Sequence, residues 1–202
     1  MFASKSVHWI ITPLCFSLLF LYLGAFISSV FYLLSIISFL FFIFFLVFYR
    51  DPKRIPDKKN GMVCPADGKV LAFRGDDKIR IFMNVNNVHV NRSPIEGKII
   101  KMKHFDGGYL PAYSKDSDRN ERLVWTVKTD FGNVEIVQIA GALVRRIVPY
   151  KKTGDKIFRG ERIGIIRFGS RVDVSIPKGF CVCVKENEKV FAGKTIIAEK
   201  KN

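Results

Sequence analysis

The chain has 202 residues and a formal net charge of +15, from 33 Lys and Arg against 18 Asp and Glu. That length fits one modest domain plus an accessory segment and excludes a large multidomain assembly. Its four cysteines, Cys15, Cys64, Cys181 and Cys183, have neither metal-ligand spacing nor a disulfide pattern, which excludes a thiolate metal site and leaves them reduced and structural.

The first segment, 7–49, is dense in Phe, Leu, Ile and Val, and Lys5 is the only charged residue before Arg50. It is too long for one ordinary span, since a hydrocarbon core of about 30 Å takes roughly 20 helical residues. It is also too long for a signal peptide's apolar region, and no small-residue cleavage site follows. The prediction is a transmembrane helical hairpin over 1–49, with helices at about 8–26 and 30–49 joined at Ile27-Ser28-Ser29. Trp9, Tyr22, Tyr32 and Tyr49 are candidates for the interfaces. Lys5 precedes the hairpin and Arg50, Lys53, Arg54, Lys58 and Lys59 follow it. Positive residues stay on the cytoplasmic side, so both ends and the soluble domain are expected at the cytoplasmic face of the cell membrane.

Residues 50–60 read as a basic, proline-containing linker, and a charge of +14 falls on 50–202. No nucleic-acid motif accompanies that charge. On a domain tethered to a bilayer it is assigned to anionic headgroups, each nearby Lys or Arg being worth about 1 kcal/mol.

From 61 to 202, short runs rich in Val, Ile and Phe alternate with Gly, Asn, Asp and Pro, at 69–73, 79–85, 97–102, 122–128, 134–139, 144–148, 162–168, 172–176, 181–184 and 195–198. That rhythm predicts a mainly β domain, a sandwich or irregular barrel. The polar, turn-rich stretch 109–120 reads as an exposed functional loop. Gly154-Asp155-Lys156-Ile157-Phe158-Arg159-Gly160-Glu161-Arg162-Ile163 is echoed by Asn187-Glu188-Lys189-Val190-Phe191-Ala192-Gly193-Lys194-Thr195-Ile196. Such turns recur in lipoyl- and biotinyl-type barrels, so a lipoyl-like C-terminal element is expected.

Four segments carry chemistry. In Phe168-Gly169-Ser170-Arg171-Val172-Asp173 an unshielded glycine carbonyl precedes a hydroxyl, as a chain that attacks itself requires. In Cys64-Pro65-Ala66-Asp67-Gly68 a carboxylate sits at a turn before a strand. In Asn87-Val88-His89-Val90-Asn91-Arg92-Ser93-Pro94 a histidine follows an apolar strand, and an acid–base step near neutral pH has only His89 and His104 to draw on in this domain. In Ala140-Gly141 with Arg145-Arg146, adjacent arginines on a strand would point to opposite faces, one able to grip a phosphate. Each alone has a plain structural explanation.

Together, and with Arg50-Asp51-Pro52-Lys53-Arg54 and Asn120-Glu121-Arg122, these segments resemble the phosphatidylserine decarboxylase family, in its short membrane-linked form and its archaeal relatives, over about 49–177. The resemblance implies a pyruvoyl-dependent proenzyme that cuts itself between Gly169 and Ser170, giving a β chain 1–169 and an α chain 170–202 that stay together as a heterodimer. Ser170 would become the pyruvoyl group, forming a Schiff base with the serine headgroup of an anionic phospholipid, phosphatidylserine or archaetidylserine. His89 matches the histidine of decarboxylation, as proton donor or positioning group, and Asp67 the aspartate that supports self-cleavage. Asn87, Arg92, Arg145 and Arg146 are candidates for binding substrate, and no metal is implied. Longer family members carry a second histidine where this chain has Arg92. Two readings stay open: His89 serves both steps, or Arg92 fixes Asp67 while backbone strain at Gly169 helps the acyl shift. Further oligomerisation and the lipid's tail chemistry also stay open. The rival from another class is a non-catalytic membrane-anchored adaptor with a lipoyl-like barrel.

Overall fold

The computed structural model describes residues 1–56, 61–71, 77–108, 119–141, 146–167 and 170–201. Gly169, Arg145 and most of the 109–120 loop lie outside the described residues. The chain divides into two compact units, Met1–Lys53 and Arg54–Asn202.

The first unit holds α1 (Val7–Phe26) and α2 (Val30–Phe48), each long and apolar enough to cross a membrane. They are apolar all round, so no amphipathic stripe selects the face on which they meet. Two serines do. Ser17 Oγ donates to the Ser35 carbonyl at 3.0 Å, and Ser35 Oγ donates back to the Ser17 carbonyl at 2.8 Å. Each such bond between membrane helices contributes roughly 0.6–2 kcal/mol.

The second unit is built of strands. In chain order the described residues form β1 (Met62–Val63), β2 (Gly68–Val70), β3 (Lys78–Met83), β4 (Val90–Arg92), β5 (Gly97–Phe105), β6 (Arg122–Thr129) and β7 (Gly132–Ala140). These are followed by β8 (Ile147–Pro149), β9 (Lys156–Ile157), β10 (Arg162–Ile166), β11 (Ser170–Ser175), β12 (Phe180–Val182), β13 (Lys189–Val190) and β14 (Ile196–Lys200). One eight-stranded sheet runs β13-β2-β3-β11-β7-β6-β5-β9, and two three-stranded sheets run β1-β14-β12 and β4-β10-β8. The mainly β expectation holds. Strand alternation builds the core: Ile79, Ile81 and Met83 of β3, Val172 and Val174 of β11, Val134 and Ile136 of β7, and Trp125 and Val127 of β6 pack in one cluster. Buried side chains of this kind each contribute about 1.5–3 kcal/mol.

Three local expectations are corrected. Ser170 does not lie between two strands, as the runs 162–168 and 172–176 would place it, but is the first residue of β11. His89 does not come directly after a strand: β3 ends at Met83, and His89 immediately precedes β4, which the sequence pattern misses because all three of its residues are buried and show no alternation. Arg146 stands outside β8, which begins at Ile147, so it does not share a strand with a neighbouring arginine.

The echo is structural. Gly154 and Asn187 both take positive φ, 97° and 66°, as do Gly160 and Gly193, 79° and 68°. Gly160 N–H donates to the Ser93 carbonyl and Gly193 N–H to the Cys64 carbonyl, each at 2.8 Å. These acceptors begin a second repeat, Cys64-Pro65-Ala66-Asp67-Gly68-Lys69-Val70 against Ser93-Pro94-Ile95-Glu96-Gly97-Lys98-Ile99. The registers match too: Gly68 pairs with Val190 and Lys69 with Lys189, as Gly97 pairs with Ile157 and Lys98 with Lys156. Because β13 and β9 are opposite edges of the large sheet, the two similar halves clasp it from both sides.

Gly68 is required by close approach rather than by a turn. A Cβ there would lie 2.0 Å from the Phe82 carbonyl oxygen, which is fixed in β3. Gly68→Ala is therefore expected to lose at least about 1–3 kcal/mol, the range for overpacking, because backbone must move. Denaturant midpoints for the two proteins test this; equal midpoints would refute it.

Candidate active site

Ser170 heads the strand at the middle of the large sheet. It pairs with Met83 of β3 on one side and Ala140 of β7 on the other. The side chain is fully buried, and its hydroxyl donates to Met83 Sδ at 3.3 Å. Ala140 is held in turn by the buried Asn120, whose Nδ2 donates to its carbonyl at 2.9 Å.

His89 reaches this place through strand pairing. Val90 pairs with Ile165 of β10, and Ile166 N–H donates to the His89 carbonyl at 3.4 Å. From Ile166 the chain is four residues from Ser170, at most about 14 Å of extended backbone. Two residues on, Asn91 of β4 places its Nδ2 3.5 Å from the same Met83 sulfur. The His89 ring is fixed by Nδ1, which lies 2.9 Å from the Asn87 carbonyl. A carbonyl only accepts, so Nδ1 carries the hydrogen of this bond. Asn87 is itself fixed, its Oδ1 accepting from Asn84 N–H at 2.7 Å.

Asp67 sits before β2, which abuts β3. Extending the pairing of Lys69 with Phe82 by one residue sets Gly68 opposite Met83. Asp67 and Ser170 thus flank the end of β3 from its two neighbouring strands. The carboxylate is gripped by Arg54, with Nη2 donating to Oδ2 at 2.7 Å and Nη1 to Oδ1, and Ala192 N–H donates to Oδ1 at 2.8 Å. The partner that fixes Asp67 is therefore Arg54. Arg92 turns its Nη1 to the Gly160 carbonyl at 3.0 Å and its stem lies under Gly193, while its N–H donates to the Pro65 carbonyl at 2.8 Å. It pins the crossing of the two repeats and ties the Asp67 turn to β4. The repeat partner of Asp67 is Glu96, exposed and 3.2 Å from exposed Lys156. One backbone design thus holds a buried, gripped carboxylate in one half and a solvated one in the other.

Cys64, at the start of the same turn, is buried and donates to the Ala66 carbonyl at 3.0 Å. Burial pushes its thiol from 9.0 up to about 12, so it is not a nucleophile at neutral pH. The folded state keeps the proton longer than the unfolded state does. The resulting stability is complete below pH 9.0 and is lost as pH rises toward about 12. Cys64→Ala is expected to flatten the decline of the unfolding free energy over that interval by up to about 1.4 kcal/mol per pH unit; parallel curves would refute it.

Among the described residues no cluster of three His, Cys, Asp or Glu forms a metal site. The residues that sequence reasoning passed over are Arg54, Met83, Asn91, Asn120 and Gln138. Of these, only Arg54, Asn91 and Asn120 lie within the segments that carry the family resemblance.

With the serine, histidine and aspartate segments gathered around β3 and β4, comparison with known proteins is decisive. The phosphatidylserine decarboxylase family matches residues 41–198. The chain belongs to the phosphatidylserine decarboxylase family. A putative archaetidylserine decarboxylase proenzyme of Methanococcoides burtonii is 47% identical over 207 residues, spanning 100% of this chain and 98% of its own. A protein of the same description from Methanosarcina acetivorans is 52% identical over 158 residues, 78% of this chain and 76% of its own. A phosphatidylserine decarboxylase proenzyme of Thermobifida fusca is 51% identical over 152 residues, 73% of this chain and 70% of its own. As a member of the phosphatidylserine decarboxylase family the protein is an enzyme, a carboxy-lyase of phospholipid biosynthesis.

Proposed function

We propose that the chain cuts itself between Gly169 and Ser170, and that the mature protein decarboxylates a serine-headgroup phospholipid with a pyruvoyl group derived from Ser170. The observation that supports this reading is the buried Ser170 hydroxyl at the head of a central strand, on the same Met83 sulfur that Asn91 of β4 reaches. The surroundings support the group: among the described residues the hydroxyl donates to a soft thioether, which would also accept the methyl left when Oγ departs.

In the first step Ser170 Oγ forms a bond to the Gly169 carbonyl carbon and the peptide C–N bond breaks, giving an ester and a free amine. Loss of the Ser170 α-proton expels Gly169 as a carboxylate that keeps Oγ. The unsaturated residue left behind takes a proton at Cβ, and water replaces its nitrogen as ammonia leaves. The group so formed supplies a ketone that can draw off the electron pair freed when substrate CO2 departs. His89 would hold the proton on Nε2 and deliver it to the substrate α-carbon, with Nδ1 anchored on Asn87. Asp67, locked by Arg54, would fix the turn facing Ser170 during scission.

Of the substrate-binding candidates, Arg146 is exposed and keeps the role of phosphate ligand. Asn87 and Arg92 are engaged with backbone, which supports a positioning part for them. The division 1–169 and 170–202, the two fragments held as a heterodimer, and the hairpin over 1–49 with its linker 50–60 are part of the same reading. So is the cytoplasmic face, supported by Lys5, Arg50 and Lys53 around α1 and α2. The C-terminal element is read as lipoyl-like on the strength of the paired positive-φ turns.

The mass of the purified protein tests scission: two chains meeting between Gly169 and Ser170 are expected, the smaller with a blocked N-terminus, and an intact chain refutes it. Phosphatidylserine and archaetidylserine, assayed side by side, identify the lipid. His89→Ala is expected to abolish turnover on either; surviving activity would remove His89 from the chemistry, and arrested scission would give it both steps.

A further inference from the structure

A directed chain of hydrogen bonds ends on the Met83 sulfur, to which the Ser170 hydroxyl also donates. Trp125 Nε1 lies 2.8 Å from Gln138 Oε1, Gln138 Nε2 lies 2.7 Å from Asn91 Oδ1, and Asn91 Nδ2 lies 3.5 Å from Met83 Sδ. Ser170 Oγ reaches the same sulfur from the other side at 3.3 Å. All five residues are fully buried. The direction is not free to reverse. An indole N–H can only donate, so Gln138 presents its oxygen to Trp125 and its NH2 to Asn91; Asn91 must then present its NH2 to sulfur. The methionine sulfur is thereby an acceptor, held in place from the core side.

We propose that Met83 is a positioning residue for self-cleavage: its thioether, fixed by Trp125, Gln138 and Asn91, orients the Ser170 hydroxyl for attack on the preceding carbonyl. This rests on the scission reading above. Met83 and Ser170 are directly opposed on β3 and β11, so the two side chains share one face and their contact is set by the sheet. A thioether suits the task because the residue it serves changes. In the precursor Ser170 needs an acceptor. After scission Oγ has left with Gly169 and Cβ has become a methyl group, and a buried carboxylate or amide in place of Met83 would be stranded without its donor. A weak acceptor with a soft, polarizable body accommodates the hydroxyl first and the methyl afterwards.

The test follows scission of the full chain, synthesised in a cell-free system with phospholipid vesicles, by gel and mass. Met83→Leu keeps volume and removes the acceptor; it is expected to slow scission at least about tenfold, some 1.4 kcal/mol in the barrier. The accumulated precursor should resist neutral hydroxylamine, which cuts esters and not amides, because the block precedes attack. Its melting temperature should stay within a few degrees of that of a Ser170→Ala precursor. Met83→Gln restores an acceptor at similar length and should cut within about threefold of the wild-type rate. Scission of Met83→Leu at the wild-type rate, release of its fragments by hydroxylamine, or equal slowing in both variants would overturn the proposal. If Met83→Leu does not fold, a folded Met83→Gln that fails to cut overturns it equally. An intact wild-type chain is a different result: it removes the scission reading itself.

Discussion

Ser170→Ala is expected to yield one intact chain with no decarboxylase activity above the uncatalysed background. On the proposed mechanism the variant lacks both the hydroxyl that would attack Gly169 and the atom whose departure would create the ketone. Its fold should be unaffected. The hydroxyl's recorded bond is to the Met83 sulfur, and a single neutral hydrogen bond contributes only about 0.5–1.5 kcal/mol. Thermal melting alongside mass and lipid turnover therefore separates chemistry from folding. A cut Ser170→Ala chain, or an uncut one that still releases CO2 from the lipid, would contradict the assignment.

Arg54→Ala should produce a large loss of stability. The Arg54 and Asp67 side chains are only 7% and 6% exposed. Removing one partner leaves a buried charge uncompensated, which costs about 3–5 kcal/mol. The guanidinium also donates to the Ala192 carbonyl at 2.8 Å, tying the turn before β2 to the turn after β13. Pairing Arg54→Met with Asp67→Leu should recover most of the stability, since a well-packed apolar pair can replace a buried ion pair. It should not recover scission, because the carboxylate facing the end of β3 is gone. Denaturant midpoints of the single and double variants measure the first point, and chain mass the second. A loss below about 1 kcal/mol for Arg54→Ala would mean that the pair behaves as a solvated one.

Much of this was legible in the residues. Runs rich in Val, Ile and Phe disclosed β3, β6, β7 and β11; β6 alternates between buried and half-buried residues, whereas β11 is buried on both faces from Ser170 to Val174 and was legible through its apolar residues alone. The order of the aspartate, histidine and serine segments disclosed the family. What escaped was pairing across distance. Arg54 sits in what reads as a linker, 13 residues from Asp67, and nothing in spacing alone selects it over its basic neighbours. Gln138 and Asn91 are 47 residues apart and meet only because β4 and β10 form a separate small sheet against β7. The earlier half of the repeat was hidden for another reason. Asp67 and Glu96 occupy equivalent turns, yet one is buried against arginine and the other is solvated. Their shared backbone role does not appear as shared surroundings. Arg92 was legible as a departure from the longer relatives and not as the pin it forms on Gly160.

The position of β11 bears on how a cut protein would age. From Ser170 to Val174 it is paired on both flanks, with β3 and with β7, while the same C-terminal stretch supplies β14 at the centre of a second sheet and β13 at an edge of the first. A fragment woven through two sheets cannot peel away strand by strand, so dilution alone would not part the pieces. Denaturation would. Once separated, the pieces must find each other and reinsert an interior strand, a second-order search that slows with every dilution. A protein severed at the head of β11 would hold together for as long as it stayed folded, and its lifetime would be set by the height of a single unfolding barrier.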